Sequence, residues 1–320
     1  MPQATLFRLT PPSLRPFPKE YRTVAGAAPK HTFEFNVALG NVRTLLAQFE
    51  RIAADDNEFL PPKLLRIDKS DDPAECGERV RRKTKVDVNE QLSWGRDEAF
   101  RKWRARIESH GIFVFQQKFP LSDCRGFTLY DSEKSPAIII NKDGPLDVGK
   151  IFTLIHEYCH LLLREPGISS QDDRHPTEAF CNKFAAAFLI PSDALRALLP
   201  TWPNTAVNWS RGDILNWAMR LKVSQMALAL RLEHLGLAPP GFHRRFVGSK
   251  RVRRGTAKGG DYVATRLSEI GANYSGLVLD ALMRDVIDQT QAAEALGLNV
   301  EHFDRVRATV SRQRELAGGG

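Results

Sequence analysis

Residues 156–160 of this 320-residue chain read His-Glu-Tyr-Cys-His, inside the stretch IFTLIHEYCHLLL. On a helix, side chains four residues apart lie one above the other. His156 and His160 would therefore hold their imidazoles on one face, at a spacing that suits a single metal ion. Two histidines are not enough for a catalytic ion, because such sites use three protein donors and leave a fourth position for water. A second helical stretch, TEAFCNKFAAAFLIP, offers the missing donor. There Glu178 and Asn182 are again four residues apart, so Glu178 can reach the ion while Asn182 accepts a hydrogen bond from the ring N–H of a ligand histidine and fixes its tautomer. A His/His/Glu set points to one zinc ion per chain, although ligand type alone leaves manganese and iron open.

These side chains need elements to hold them. In the first stretch Phe152, Ile155, Cys159 and Leu162 form the side to be buried; in the second, Phe180, Phe184, Ala187 and Phe188 pack against it. Upstream, Ile112–Gln116, Phe127–Asp131 and Ala137–Asn141 are short runs of β-branched and aromatic residues bounded by turn formers, and they read as three strands. Helical periodicity returns from Val148 to Leu163 and from Thr177 to Ile190, closed by Pro191. The apolar stripe Leu39, Val42, Leu45, Leu46, Phe49, Ile52 marks a helix, and Phe100, Trp103 and Ile107 mark another that stops at His110-Gly111, with Trp94 and Trp103 as core residues. Residues 55–90 are polar and read mostly as loop with one short helix. The expected fold is α+β, with a small sheet on one side of a helical layer. An extended Pro-rich arm over 1–35 precedes a domain over 36–200, and a helical region covers 201–320.

The run PAIIIN before a helix bearing HEYCHLLL, followed by EAFCNKFAAAFLIP, resembles the ImmA/IrrE family of metallo-endopeptidases. The likeness extends to RGFTLYD upstream and is specific over about residues 110–195. It implies a zincin-like, gluzincin-like peptidase domain in which His156, His160 and Glu178 bind zinc and Glu157 is the general base. Cys159 stands where the family often has glycine. In the implied reaction Glu157 takes a proton from water as it attacks the scissile carbonyl and passes it to the leaving amine. The strand ending at Asn141, taken as an edge strand, would bind substrate backbone by β-addition. Arg125, Tyr130 and His175 are candidates for the oxyanion partner. The implied substrate is a protein, of the repressor or antitoxin type of transcriptional regulator. Many relatives carry an N-terminal helix-turn-helix domain; the resemblance sets the start of this sequence just after the place where that domain would end, and the expected partner is a separately encoded one.

Charge and cysteine content set bounds on the alternatives. The net charge is +8, but seven basic residues from Arg244 to Lys258 occupy one segment without an acid, which leaves 39 basic against 38 acidic residues elsewhere. One basic strip on a nearly neutral protein reads as a solvated linker. The longest apolar run, Phe184–Ile190, is too short to cross a bilayer, and the N-terminal residues lack an apolar signal core, so the cytoplasm is the expected compartment. The four cysteines show no C-x-x-C pair and read as reduced thiols, Cys124 and Cys181 as packing residues. Two segments have a helix-turn-helix cadence: Ile214–Leu237, and QTQAAEALGLNVEHFDRVRATV further on. They keep DNA contact open as a weaker reading. The competing function is a DNA- or protein-binding, toxin-like regulator with a structural or vestigial metal site; the presence of Glu157 counts against it, because a structural site has no use for a base.

Overall fold

The computed structural model describes residues 18, 31–143, 147–168, 175–199, 207, 209–246 and 261–318. Most of the expected arm and of the basic strip lies outside these residues. Three strands, β1 (Phe113–Gln117), β2 (Gly126–Leu129) and β3 (Ala137–Asn141), form one sheet in the order β1-β3-β2. β3 pairs parallel with β1 and antiparallel with β2. It is therefore the central strand and not the edge strand expected from sequence. All five of its residues are buried, the pattern of a strand covered on both faces, whereas a solvated edge would alternate.

Both faces of the sheet are covered by helices, so the expectation of a helical layer on one side only does not hold. Side chains of successive strand residues point to opposite faces. Val114, Ile138 and Ile140 join a core with α2 (Pro73–Lys83), α4 (Ala99–Glu108), α5 (Asp147–Leu162), α6 (Pro176–Leu189), α8 (Arg211–Leu221) and α9 (Gln225–His234). Phe113, Phe115 and Ile139 join a second core with α1 (Phe33–Asp55) and the C-terminal helices α10 (Tyr262–Ile270), α11 (Ala272–Met283), α12 (Gln289–Leu296) and α13 (Phe303–Gly318). In that second core Phe49 meets Phe113 edge-on at 4.7 Å, and the Tyr274 hydroxyl lies 3.3 Å from the carbonyls of Leu45 and Ala295. Among the described residues, 214–246 thus contribute to the first core and 263–310 to the second.

Residues 55–90 hold more order than their polarity suggests. Asp72 caps α2, accepting from the backbone N–H groups of Ala74 and Glu75, with Pro73 at the first helical position. Asp87 caps a short α3 (Val88–Ser93) in the same way. α2 lies so close to α6 that a Cβ on Gly77 would sit 2.4 Å from the Phe184 carbonyl oxygen. Trp94 and Trp103 are core residues, as expected, and meet edge-on at 5.2 Å.

The first helix-turn-helix-like segment is α8, a left-handed turn at Lys222, and α9 capped by Ser224. No residue of α9 is exposed. Ala227 to Leu232 are all buried, and the Arg231 guanidinium pairs with Glu78 and donates to the Ile190 carbonyl. Gln225 and Met226, which open α9, are only partly exposed, so the helix offers little free surface for a DNA groove. In the second segment α12 ends at Gly297 in the left-handed region, and the exposed residues opening the next helix include Glu301 and Asp304, whose charge disfavours phosphate.

Candidate metal centre

The site is built from α5 and α6, which pack side by side over the sheet. α6 is anchored at both ends. At its start His175 is the N-cap, its ring Nδ1 accepting from the Thr177 N–H at 3.2 Å. At its end, carbonyls that lack intrahelical partners are taken up by three other helices. Arg81 donates to the Phe188 oxygen, Gln91 to that of Leu189 and Arg231 to that of Ile190. Two of these donors are cations at the negative end of the helix dipole. Glu178 in the first turn is therefore carried on an element fixed in rotation and position.

α5 presents His156 and His160 on the face toward α6. Their Nε2 atoms are 3.2 Å apart. The Glu178 carboxylate spans both, with Oε2 at 3.3 Å from His156 Nε2 and Oε1 at 3.1 Å from His160 Nε2. A tetrahedral ion with bonds of about 2.0–2.1 Å separates its donors by about 3.3–3.4 Å, so these three groups are spaced as ligands of one ion. All three are buried, Glu178 and His160 completely. Burial alone would raise the Glu178 pKa, but hydrogen bonds and charge from His156 and His160 overcome it and hold the carboxyl down at about 2. Glu178 is thus an anion ready to meet a cation. For His160, burial works against the charged form, but the neighbouring Cys181, Glu178 and Glu157 outweigh it and lift its pKa well above the ordinary value.

Ring orientation has a source that sequence did not reveal. His160 Nδ1 lies 3.0 Å from the Glu165 carbonyl oxygen, just past the end of α5. A proton on Nδ1 donated there makes Nε2, which faces His156 and Glu178, the nitrogen that can bind an ion once its own proton is released. Asn182 is buried one turn along α6 from Glu178, while His156 Nδ1 has no hydrogen-bond partner among the described residues. Glu157 is buried on α5 beside β2: a Cβ on Gly126 would meet Thr153 Cγ2 at 2.8 Å and Glu157 Cγ at 3.3 Å. Only glycine permits this approach of strand to helix.

The four residues proposed around the reacting group are scattered. Arg125 is exposed and directly precedes Gly126, beside Glu157. Tyr130 is at the other end of β2, under the Arg164 guanidinium at 4.8 Å. His175 is spent in part as the α6 cap. Asn141 is fully buried, donating to the Phe119 and Cys124 carbonyls and accepting from the Asp143 N–H. Its side chain pins a turn and does not face a cleft, which corrects the substrate role expected for it. The edge strand nearest the base is β2, and part of its edge is bridged by Gly167 and Ile168. A further donor escaped the sequence reading: the Cys181 thiol clusters with the rings of His156 and His160.

Among the described residues no helix is long and apolar enough to cross a membrane. Comparison with curated proteins gives no match. A family model described as the IrrE N-terminal-like domain, Peptidase_M78, matches residues 107–233, which run from the end of α4 through the sheet, α5 and α6 to α9. The match takes in the first helix-turn-helix-like pair and extends beyond the domain boundary expected at residue 200. His156, His160 and Glu178 all fall inside that span, so residues 107–233 are similar to the IrrE N-terminal-like domain, a metallopeptidase-like family.

Proposed function

We propose that the protein is a zinc-dependent endopeptidase with a zincin-like active site, acting in the cytoplasm on a protein substrate. The observation that carries this reading is the convergence of His156 Nε2, His160 Nε2 and the Glu178 carboxylate within 3.1–3.3 Å of one another, with Glu157 next in sequence to a ligand. His156, His160 and Glu178 would hold the ion, and Asn182 is a supporting residue in the same pocket. A bound zinc supplies Lewis acidity toward a carbonyl oxygen and lowers the pKa of water toward neutrality.

The chain's own groups account for the rest. Glu157, rigidly seated against Gly126, takes the proton of the attacking water and returns it to the departing amine. The Glu165 carbonyl keeps His160 in the tautomer that can ligate. Arg125, exposed and directly before Gly126, is proposed to meet substrate backbone or the developing oxyanion. The substrate is proposed to be a helix-turn-helix repressor or antitoxin-type regulator encoded apart from this chain. A DNA-binding role through α9 draws no support from its buried surface.

The test is metal analysis of the purified protein, followed by incubation of wild type and Glu157→Gln with a helix-turn-helix regulator encoded beside it. One zinc per chain in both proteins, with cleavage by wild type only, is expected. Equal cleavage by the two proteins would overturn the assignment of the base, and absence of stoichiometric metal would overturn the whole reading.

A further inference from the structure

The donors around His156 and His160 form two overlapping sets. Glu178 completes one. Cys181 completes the other: its Sγ and the ring nitrogens of both histidines lie within 4.8 Å of one another, and the thiol hydrogen-bonds to His160 and to Cys159. Both third donors come from α6, three residues apart. That spacing lets one helix offer two ligands to one ion, as Glu-x-x-His segments do in helical bundles. Cys181, His160 and Glu178 are fully buried and His156 is 2% exposed, so the thiol and the other donors share one interior site.

We propose that Cys181 is a fourth protein ligand of the same ion, so that the resting site is a closed His156/His160/Glu178/Cys181 centre and becomes competent for hydrolysis only when the thiolate gives way to water. The proposal rests on the metal reading above. Bonds of about 2.3 Å to sulfur and 2.0–2.1 Å to nitrogen place the two donors about 3.5 Å apart, a separation open to a thiol already hydrogen-bonded to His160. On binding, the thiol proton passes to solvent and sulfur forms the fourth bond. Four protein donors are the mark of a structural site, and an open fourth position that of a catalytic one. Cys181 would hold the enzyme in the first state, and a thiolate also favours zinc over manganese. Cys159, although hydrogen-bonded to Cys181, belongs to the buried side of α5 and is not assigned as a ligand.

Cobalt(II) substitution of the full chain reads the ligand set without recourse to activity. Wild type with one cobalt per chain is expected to show a thiolate-to-cobalt charge-transfer band in the near ultraviolet alongside the visible bands of a tetrahedral ion. Cys181→Ala and the size-matched Cys181→Ser keep the visible bands and lose the charge-transfer band, whereas Cys159→Ala keeps both. Stoichiometric cobalt in wild type without the thiolate band, or a band that survives in Cys181→Ala, overturns the assignment of Cys181 and leaves the peptidase reading standing. Failure of wild type to bind cobalt overturns both.

Discussion

The contact between α2 and α6 can be tested through a single methyl group. Gly77 lies in the middle of α2, and a Cβ there would stand 2.4 Å from the Phe184 carbonyl oxygen, 3.0 Å from the Phe188 nitrogen and 3.1 Å from the Ala187 Cβ. Ordinary contact between nonbonded heavy atoms is about 3.5 Å, so the shortfall against the carbonyl is about 1 Å. Two of the three neighbours are backbone of a helix pinned at both ends, and no side-chain rotation relieves the clash. Overpacking of this kind costs about 1–3 kcal/mol. Against it stands the helix-propensity gain of alanine over glycine, about 1 kcal/mol. Gly77→Ala should therefore be destabilised, by up to about 2 kcal/mol, read as a lower urea midpoint with unchanged slope. Gly40 supplies the control: it is in α1, and a Cβ there meets nothing within 4 Å, so Gly40→Ala should be stabilised by about 0.5–1 kcal/mol. If both variants gain stability alike, α2 does not approach α6 as described.

Arg231→Ala removes the buried guanidinium that links Glu78 to the Ile190 carbonyl, and a loss of about 3–5 kcal/mol is expected in equilibrium unfolding; a near-neutral result would mean that α9 is not locked to the core. His110 stands 3.0 Å from the Tyr158 hydroxyl, and burial, with Arg106 nearby, lowers its pKa below the ordinary 6.5. The unfolded chain then binds the proton more readily, so the stability His110 contributes is present above pH 6.5 and lost as pH falls through its folded value. His110→Gln should flatten that acid limb of the stability profile, and an unchanged limb would assign it to other groups. The free cysteines are all buried, and burial pushes Cys76 up to about 11, so the metal-free native protein should react slowly with a thiol reagent at mildly alkaline pH and the denatured protein rapidly. Rapid reaction of the native protein would contradict their burial.

The chemistry was the most legible part of the sequence. Helical spacing places His156 above His160, Glu178 was a candidate that the packing of α6 on α5 brings within reach of both, and the three strands fall within a residue or two of their expected bounds. Position within the sheet was harder to read. The uniform apolarity of Ala137–Ile140 is the sign of a central strand, but in so short a run it looks the same as a buried edge. One short helix was expected within residues 55–90, but α2 was not placed because its buried side is only Cys76, Gly77, Val80 and Arg81, too small a stripe for periodicity to detect; the Asp72-Pro73 start was its one clear signal. The bond from His160 to the Glu165 carbonyl involves backbone and has no residue-type signature. The Cys181 contact and the second core depend on how distant segments meet, which no local pattern encodes.

The second core also sets the order in which the protein can be completed as it is made. Phe113, Phe115 and Ile139 face a layer assembled from α1 and from residues 263–310, which are made before and after the sheet and lie more than 200 residues apart in sequence. The metal-binding helices emerge while one face of their sheet still lacks most of its cover. Such a nascent chain exposes aromatic strand residues and is prone to misassembly, and closing contacts so distant in sequence is slow. A stable platform for α5 and its Glu157 therefore awaits the helices of residues 263–310.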